Sequence, residues 1–397
     1  MLPLDCGLAF DPARDEDFFA ALPSRPAVVL IEPRQSGAEP YLLRTADLRR
    51  RIERLLRPAA ELSKRLNLRD FAAGVRYCLT GSAFEQGLVH YQHARQLFPR
   101  RYRDLVRLRP PALLKINLRN EYPRCYVIRR ILSDGAAYYG PFPSRKSAEA
   151  FASEFLNLFK VRRCQIKIRR DPAYPGCIYS EMKMCLAPCF AGCTKEEYDV
   201  EVARLVSALD SSGSSLTDAL EREREFASAG LDFERAANLH KRLDKISGVL
   251  RGFPEIVRPV DRLDAVILQP AAEPATVAVF AVRGGITSDP LLLRFGELAS
   301  QPRSVEEILR EHLAAAQPPL PLANDANQQR LDHLSLLARW YYSKPRVGEI
   351  FLPPARGRLT DAPRVGGPAS VAPHEWPYRR IIRACSRLLA PPAPASP

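Results

Sequence analysis

Residues 215–250 read "SLTDALEREREFASAGLDFERAANLHKRLDKISGVL", two helical patterns with a single turn between them. The first closes on Gly230, a residue suited to the end of a helix. Asp232 then caps the second, with Glu234 favourably placed near its positive end. Phe233, Ala236, Ala237, His240, Leu243 and Leu250 lie along one helical stripe. Helices joined by so short a turn run antiparallel, so the stretch predicts a helical hairpin. A hairpin of this size has too little core to stand alone and must dock on something. On that stripe His240 reads as a packing histidine.

Working outward, the 397-residue chain has room for two or three domains with cores of their own. Its net charge of +14 points to a polyanionic partner, nucleic acid first and an acidic membrane surface second. No run approaches eighteen apolar residues, and Asp5 stands where a signal peptide would carry positive charge. The expectation is a cytoplasmic chain with no membrane partner, whose nine cysteines are reduced or metal-bound. "PAVVLIE" (26–32) and "PYLLRT" (40–45) predict strands, "ADLRRRIERLL" (46–56) a helix, and "CYVIRRIL" (125–132) a strand before the turn "SDGAAYYGPFPS". "TVAVFAVRGG" (276–285) is a further strand and turn, and the Pro-rich end from 351 reads as disordered. The fold class is α+β, multidomain.

Cys164, Cys177, Cys185 and Cys189 are separated by twelve, seven and three residues. Four thiolates suit either Zn2+ in a tetrahedron or an iron–sulfur cluster. Zinc ribbons usually present two close Cys-x-x-Cys pairs, so the irregular gaps lean towards a cluster wrapped by loops. Cys193 is a fifth thiol nearby.

Nucleic-acid contacts are expected from Arg100, Arg101, Arg103, Arg107, Arg109, Lys115, Arg119, Arg129, Arg130 and Arg145, among which Asp104 is the nearest acid. Tyr102, Tyr122, Tyr138, Tyr139 and Phe142 sit among them and could stack on bases, although Tyr139-Gly140-Pro141-Phe142 reads equally as a turn and core plug. No element is built to read base edges, so binding should be largely sequence-independent.

"LDFERAANLHKRLDKI" resembles the UVR motif, the hairpin through which the UvrC subunit of the bacterial excinuclease holds its UvrB partner. The spacing from Cys177 to Cys189 and the segment "YPRCYVIRRILSDGAAYYGPFPSRKSAEA" resemble the same family, the likeness covering roughly residues 26–295. It implies a 4Fe–4S cluster on the four cysteines, DNA as ligand, and a UvrB-type helicase subunit as partner through Phe233, Ala236, Ala237, His240 and Leu243. It also implies a GIY-YIG nuclease domain with two tyrosines, an arginine and a glutamate that holds one Mg2+ or Mn2+ ion. Here Tyr41 and Arg51 match the second tyrosine and the arginine. Ala27-Val28-Val29 replaces the first tripeptide, and Arg101 falls where the glutamate belongs. Arginine cannot ligate a cation, so a relic with lost chemistry is expected. Glu85 or Asp104 could substitute only through a shifted alignment.

The implied division is a leader (1–25), a degenerate GIY-YIG-like domain (26–112), a basic and four-cysteine segment (113–195), a UVR hairpin (196–255), a small α/β region (256–350) and a Pro-rich tail (351–397). The family's second, RNase H-like nuclease and helix-hairpin-helix clamp have no counterpart in this sequence, where Asp261 and Asp264 read as solvated loop residues. Two readings compete with a nuclease-impaired repair factor: a divergent single-site endonuclease, and a metal-stabilised scaffold for RNA or an acidic protein.

Overall fold

The computed structural model describes residues 2–58, 65–297, 302–315, 325–353 and 376–389. The first layer holds β1 (Cys6–Ala9), α1 (Asp15–Ala21), β2 (Ala27–Pro33), β3 (Tyr41–Thr45), α2 (Leu48–Leu56), β4 (Ala72–Leu79), α3 (Ala83–Leu97) and α4 (Tyr102–Val106). The strands form an antiparallel sheet in the order β1-β4-β2-β3. Along β2, Ala27, Val29 and Ile31 face one core with Leu48, Ile52 and Leu55 of α2. Val28 and Leu30 face the other, with Phe84, Leu88 and Val89 of α3. Burial on both sides explains why β2 reads as an unbroken apolar run. Residues read as a leader take part: β1 is an edge strand, and Phe10, Phe18 and Phe19 pack in the α2 core.

The second sheet contains β5 (Ala112–Ile116), β6 (Cys125–Ile128), β7 (Ala137–Phe142) and β8 (Arg258–Pro259), ordered β6-β5-β7-β8. Between β7 and β8 the chain makes a long excursion through α5 (Arg145–Leu156), the cysteine loop with α6 (Ile178–Glu181), α7 (Lys195–Asp210), α8 (Ser214–Ala229) and α9 (Phe233–Leu250). Half of the stretch read as the turn "SDGAAYYGPFPS" forms β7, because Tyr138, Tyr139 and Phe142 are buried there.

The hairpin α8–α9 closes as expected, with the Asp232 side chain accepting from the Arg235 N–H at 3.1 Å. Its base is anchored. Phe253 packs edge-on against Phe151 of α5 at 5.0 Å, and Leu250 fills the space beside Gly213 (φ 93°), where a Cβ would collide with it. Asp210, at the end of α7, receives Arg262 at 2.8 Å and the Tyr139 hydroxyl at 3.0 Å, which ties hairpin base, second sheet and third sheet together.

The third sheet comprises β9 (Ala265–Pro270), β10 (Thr276–Arg283), β11 (Ile286–Thr287), β12 (Leu291–Arg294) and β13 (Glu349–Phe351). One face packs on α10 (Val305–Ala315) and α12 (Tyr378–Leu389). The other meets α11 (Asp325–Tyr341) and α3, where Phe84 touches Phe280 at 5.2 Å and Trp340 at 5.3 Å. Helix α12 corrects part of the reading of residues 351–397 as disordered tail: Trp376, Ile381, Ala384 and Cys385 form an apolar face that seals the third core. Residues 354–375 and 390–397 lie outside the described residues. Asp264 is no solvated loop residue either, since it accepts from the Gly284 N–H at 2.9 Å and pairs with Arg283 at 3.3 Å.

Candidate nucleic-acid and partner interfaces

On α9 the inward row is Leu239, Leu243 and Ile246, all buried against α8 and its surroundings. Phe233, Ala237 and His240 point outward and Ala236 lies between. Leu243 is therefore not open to a partner. His240 does not pack: its ring is exposed, 3.6 Å from Asp244. The turn is more apolar than the sequence reading supposed. Phe226, Leu231 and Phe233 expose 78%, 73% and 66% of their surface there, three large side chains around one tip. Isolated exposed hydrophobics are ordinary, but such a group marks a contact surface.

The cysteine loop is held by buried polar groups. Arg162 donates to the carbonyls of Tyr122 (2.8 Å) and Ile166 (2.9 Å) and reaches towards Cys164 Sγ at 4.0 Å. Tyr198, fully buried on α7, donates to the Pro123 carbonyl at 2.7 Å and accepts from the Arg162 N–H at 3.1 Å. The Ala187 N–H donates to Cys185 Sγ at 3.3 Å. Burial pushes the Cys185 thiol up to about 11; the Ala187 N–H opposes this, and Cys164, Cys177 and Cys189 each add to the rise. Cys189 is raised by burial first and then by Cys177. Cys185 thus lies in the electrostatic reach of the other three predicted cysteines. Among the described residues, however, no three His, Cys, Asp or Glu side chains are grouped so as to hold a metal ion. Cys193 is a core residue that feels Cys189 alone among the thiols.

The predicted basic residues divide. Arg100, Arg101, Arg107, Arg109, Arg119, Arg129 and Arg130 are exposed. Arg103 lies 3.7 Å from Asp332, and Arg145 pairs with Glu149 at 2.7 Å. Lys115 is a correction. Only 2% exposed, it is ion-paired to Asp134 beside the Tyr138 and Tyr126 rings, and cannot reach a phosphate. Burial works against its charge, yet the bonds to Asp134 and Tyr138 outweigh that and raise its pKa. Tyr102, Tyr122 and Tyr138, read as able to stack on bases, are corrections too, being buried in the core; Tyr139 and Phe142 are buried there as well, which favours the core-plug reading of their segment.

Tyr41 begins β3 and packs against the α2 core; Arg51 lies half-buried on α2. Arg101 is taken by an ion pair with Glu39 and rests on the Phe98 ring at 5.0 Å. Glu85 is occupied as well, accepting from the Gly81 N–H at 2.7 Å at the start of α3, in a buried setting that raises its pKa. Asp104 is exposed on α4.

Residues 112–208 match the family described as "UvrC/Cho excinuclease, middle domain". They run from β5 into the last turn of α7 and include all four cysteines. Over longer spans the chain is similar to UvrABC system protein C of Moorella thermoacetica, 26% identical over 82% of this chain and 53% of that protein. It is similar to that of Carboxydothermus hydrogenoformans, 25% identical over 85% and 55%, and of Dehalococcoides mccartyi, 28% identical over 67% and 44%. No solved structure matches the chain. The chain spans about half the length of the curated relatives it matches. No helix among the described residues is long and apolar enough to cross a membrane. Residues 112–208 are thus of the UvrC/Cho middle-domain type, and over longer spans the chain is similar to UvrABC system protein C.

Proposed function

We propose that the chain is a cytoplasmic accessory factor of nucleotide excision repair that binds DNA without sequence preference and docks a UvrB-type helicase subunit through its hairpin. The observation that carries this reading is the apolar tip formed by Phe226, Leu231 and Phe233 at the far end of a hairpin whose base is fixed. Burying three such side chains in a partner supplies several kcal/mol, at about 1.5–3 kcal/mol each. Ala237 and His240 extend that outward face. The exposed arginines of α4 and its flanks supply the sequence-independent attraction to phosphate.

In this reading the first domain no longer cuts. Tyr41 and Arg51 remain, but Glu85 serves as a helix cap and Arg101 carries the wrong charge for a cation site.

Cys164, Cys177, Cys185 and Cys189 would hold a 4Fe–4S cluster. A lone Zn2+ at about 2.3 Å from each sulfur needs a tight tetrahedron, whereas a cluster spaces its thiolates around an iron cage. Cys185, with Cys164, Cys177 and Cys189 as charged neighbours and the Ala187 N–H donating to its sulfur, supports a thiolate-bound group on this loop. The cluster would cross-link a loop poor in regular structure.

The test is capture of purified UvrB-type subunit. Phe226→Ala with Phe233→Ala should abolish capture while leaving DNA affinity unchanged. Undiminished capture would remove the hairpin from the interface.

A further inference from the structure

Where α7 passes the cysteine loop there is a groove of about 920 Å³. Its apolar lining is Leu158 and Phe159 after α5, Met182, Met184 and Leu186 of the loop, and Val200 of α7. Met182 and Val200 expose 61% and 69% of their surface, and Ile178, one turn before Met182, exposes 64%. Apolar side chains of this size gathered in the open mark a contact surface. The rim gives the sign of what fits there. Lys160, Lys183 and Lys245 of α9 also line the groove, are exposed, and have no ion-pair partner among the described residues. The two carboxylates in the wall are already used within the chain. Glu197 accepts from the Thr194 N–H at 2.8 Å in the cap of α7. Glu201 accepts from the Lys160 N–H at 2.6 Å and pairs with Arg204 at 3.4 Å. Positive charge therefore stands unmatched around an apolar floor. A phosphate backbone would match the lysines and leave Met182 and Val200 wet. A helix with one apolar and one acidic face matches both, with side chains at i, i+3 and i+4 on the floor and carboxylates at the rim. Methionine, unbranched and polarisable, adapts to such a guest.

We infer that this groove is a protein-docking surface that takes an amphipathic helix with an acidic polar face from a partner protein. None of Phe226, Leu231 and Phe233 lines it, so the inference stands whether or not the hairpin tip holds a UvrB-type subunit.

The chain has three methionines and two of them line the groove, so 13C-methyl methionine labelling of the full chain reads it directly. The resonances are assigned with Met182→Leu and Met184→Leu. The probe is a fluorescent synthetic helix of about four turns, with leucine at i, i+3, i+4 and i+7 and glutamate elsewhere. One control has the same composition shuffled so that no apolar face forms; the other carries lysine in place of glutamate. The Met182 methyl should shift with the acidic helix and with neither control. By fluorescence anisotropy, Val200→Asp should weaken binding about tenfold or more, and Lys160→Ala with Lys183→Ala and Lys245→Ala by a similar factor. All four positions are exposed, so both variants should melt with the parent. Phe226→Ala with Phe233→Ala, and Arg100→Ala with Arg107→Ala, should leave binding unchanged. An acidic helix that never moves Met182, or a shuffled peptide that binds equally well, overturns the inference. Binding lost in the hairpin-tip variant with Met182 unmoved would place the helix at the tip, so that the groove falls and the hairpin reading stands. A single-stranded oligonucleotide that moves Met182 where the acidic helix does not would assign the groove to nucleic acid and also overturn it.

Discussion

Replacing Tyr198 by Phe removes one oxygen from the most enclosed polar junction of the cysteine loop. That oxygen receives the Arg162 N–H at 3.1 Å and donates to the Pro123 carbonyl at 2.7 Å. The ring itself, edge-on to Tyr122 at 5.3 Å, is kept. Two buried backbone groups lose their partner at once, each at about 1–3 kcal/mol, so Tyr198→Phe should cost about 2–6 kcal/mol. Burial holds the phenol pKa well above its ordinary value, so the hydroxyl stays protonated and the loss should be the same at pH 6 and pH 9. Urea unfolding followed by far-UV circular dichroism reads it as a lower midpoint with an unchanged slope, since the same surface is exposed. Because Arg162 also reaches Cys164, alkylation of Cys164 should quicken in the variant. A loss under about 0.5 kcal/mol, with Cys164 no more reactive, would refute the idea that this junction shapes the loop.

Burial lowers the His333 pKa to about 3, and its Nδ1 accepts from the Thr287 N–H at 3.0 Å. The unfolded chain takes up that proton near pH 6.5 and the folded chain does not, so stability present at neutral pH drains as pH falls from 6.5 towards 3. The slope is about 1.4 kcal/mol per pH unit for this one site, and NMR titration showing His333 near 6.5 would contradict it. Lys115→Met should cost about 1–3 kcal/mol by stranding the half-buried Asp134, yet leave the salt slope of DNA binding unchanged. Arg100→Ala with Arg107→Ala should do the reverse, lowering the slope without moving the melting temperature; a lower slope in Lys115→Met would contradict its placement. On the hairpin, Leu239→Ala should cost about 2–5 kcal/mol in thermal unfolding and Phe233→Ala less than about 0.5. The opposite order would mean that α9 faces the other way.

Local signals carried most of what was legible. Gly230 and Asp232 announce the end of one helix and the start of the next, and both act as read. The apolar run of β2 and the Leu48, Ile52 and Leu55 spacing of α2 were equally plain. What tertiary contact decides was not. Phe233–Ala237–His240 and Leu239–Leu243–Ile246 are neighbouring rows on one helix, and only the position of α8 determines which turns inward. Lys115 looked like one cation in a basic run because Asp134, nineteen residues on, meets it only through the pairing of β5 with β7. The tyrosines of β7 read as a turn because Gly140 and Pro141 follow them directly. The groove at Met182 and Val200 left no mark beyond the methionines themselves, because its walls come from the cysteine loop, α7 and α9.

The central claim is that this chain keeps the partner and the DNA but does not cut beside Tyr41 and Arg51. Labelled damaged duplex already loaded with UvrB-type subunit, incubated with the chain in magnesium and then manganese, tests that most directly. The account predicts a supershifted complex, lost in Phe226→Ala with Phe233→Ala, and no strand scission. Scission near the lesion that disappears in Arg51→Ala would show a living nuclease and contradict it.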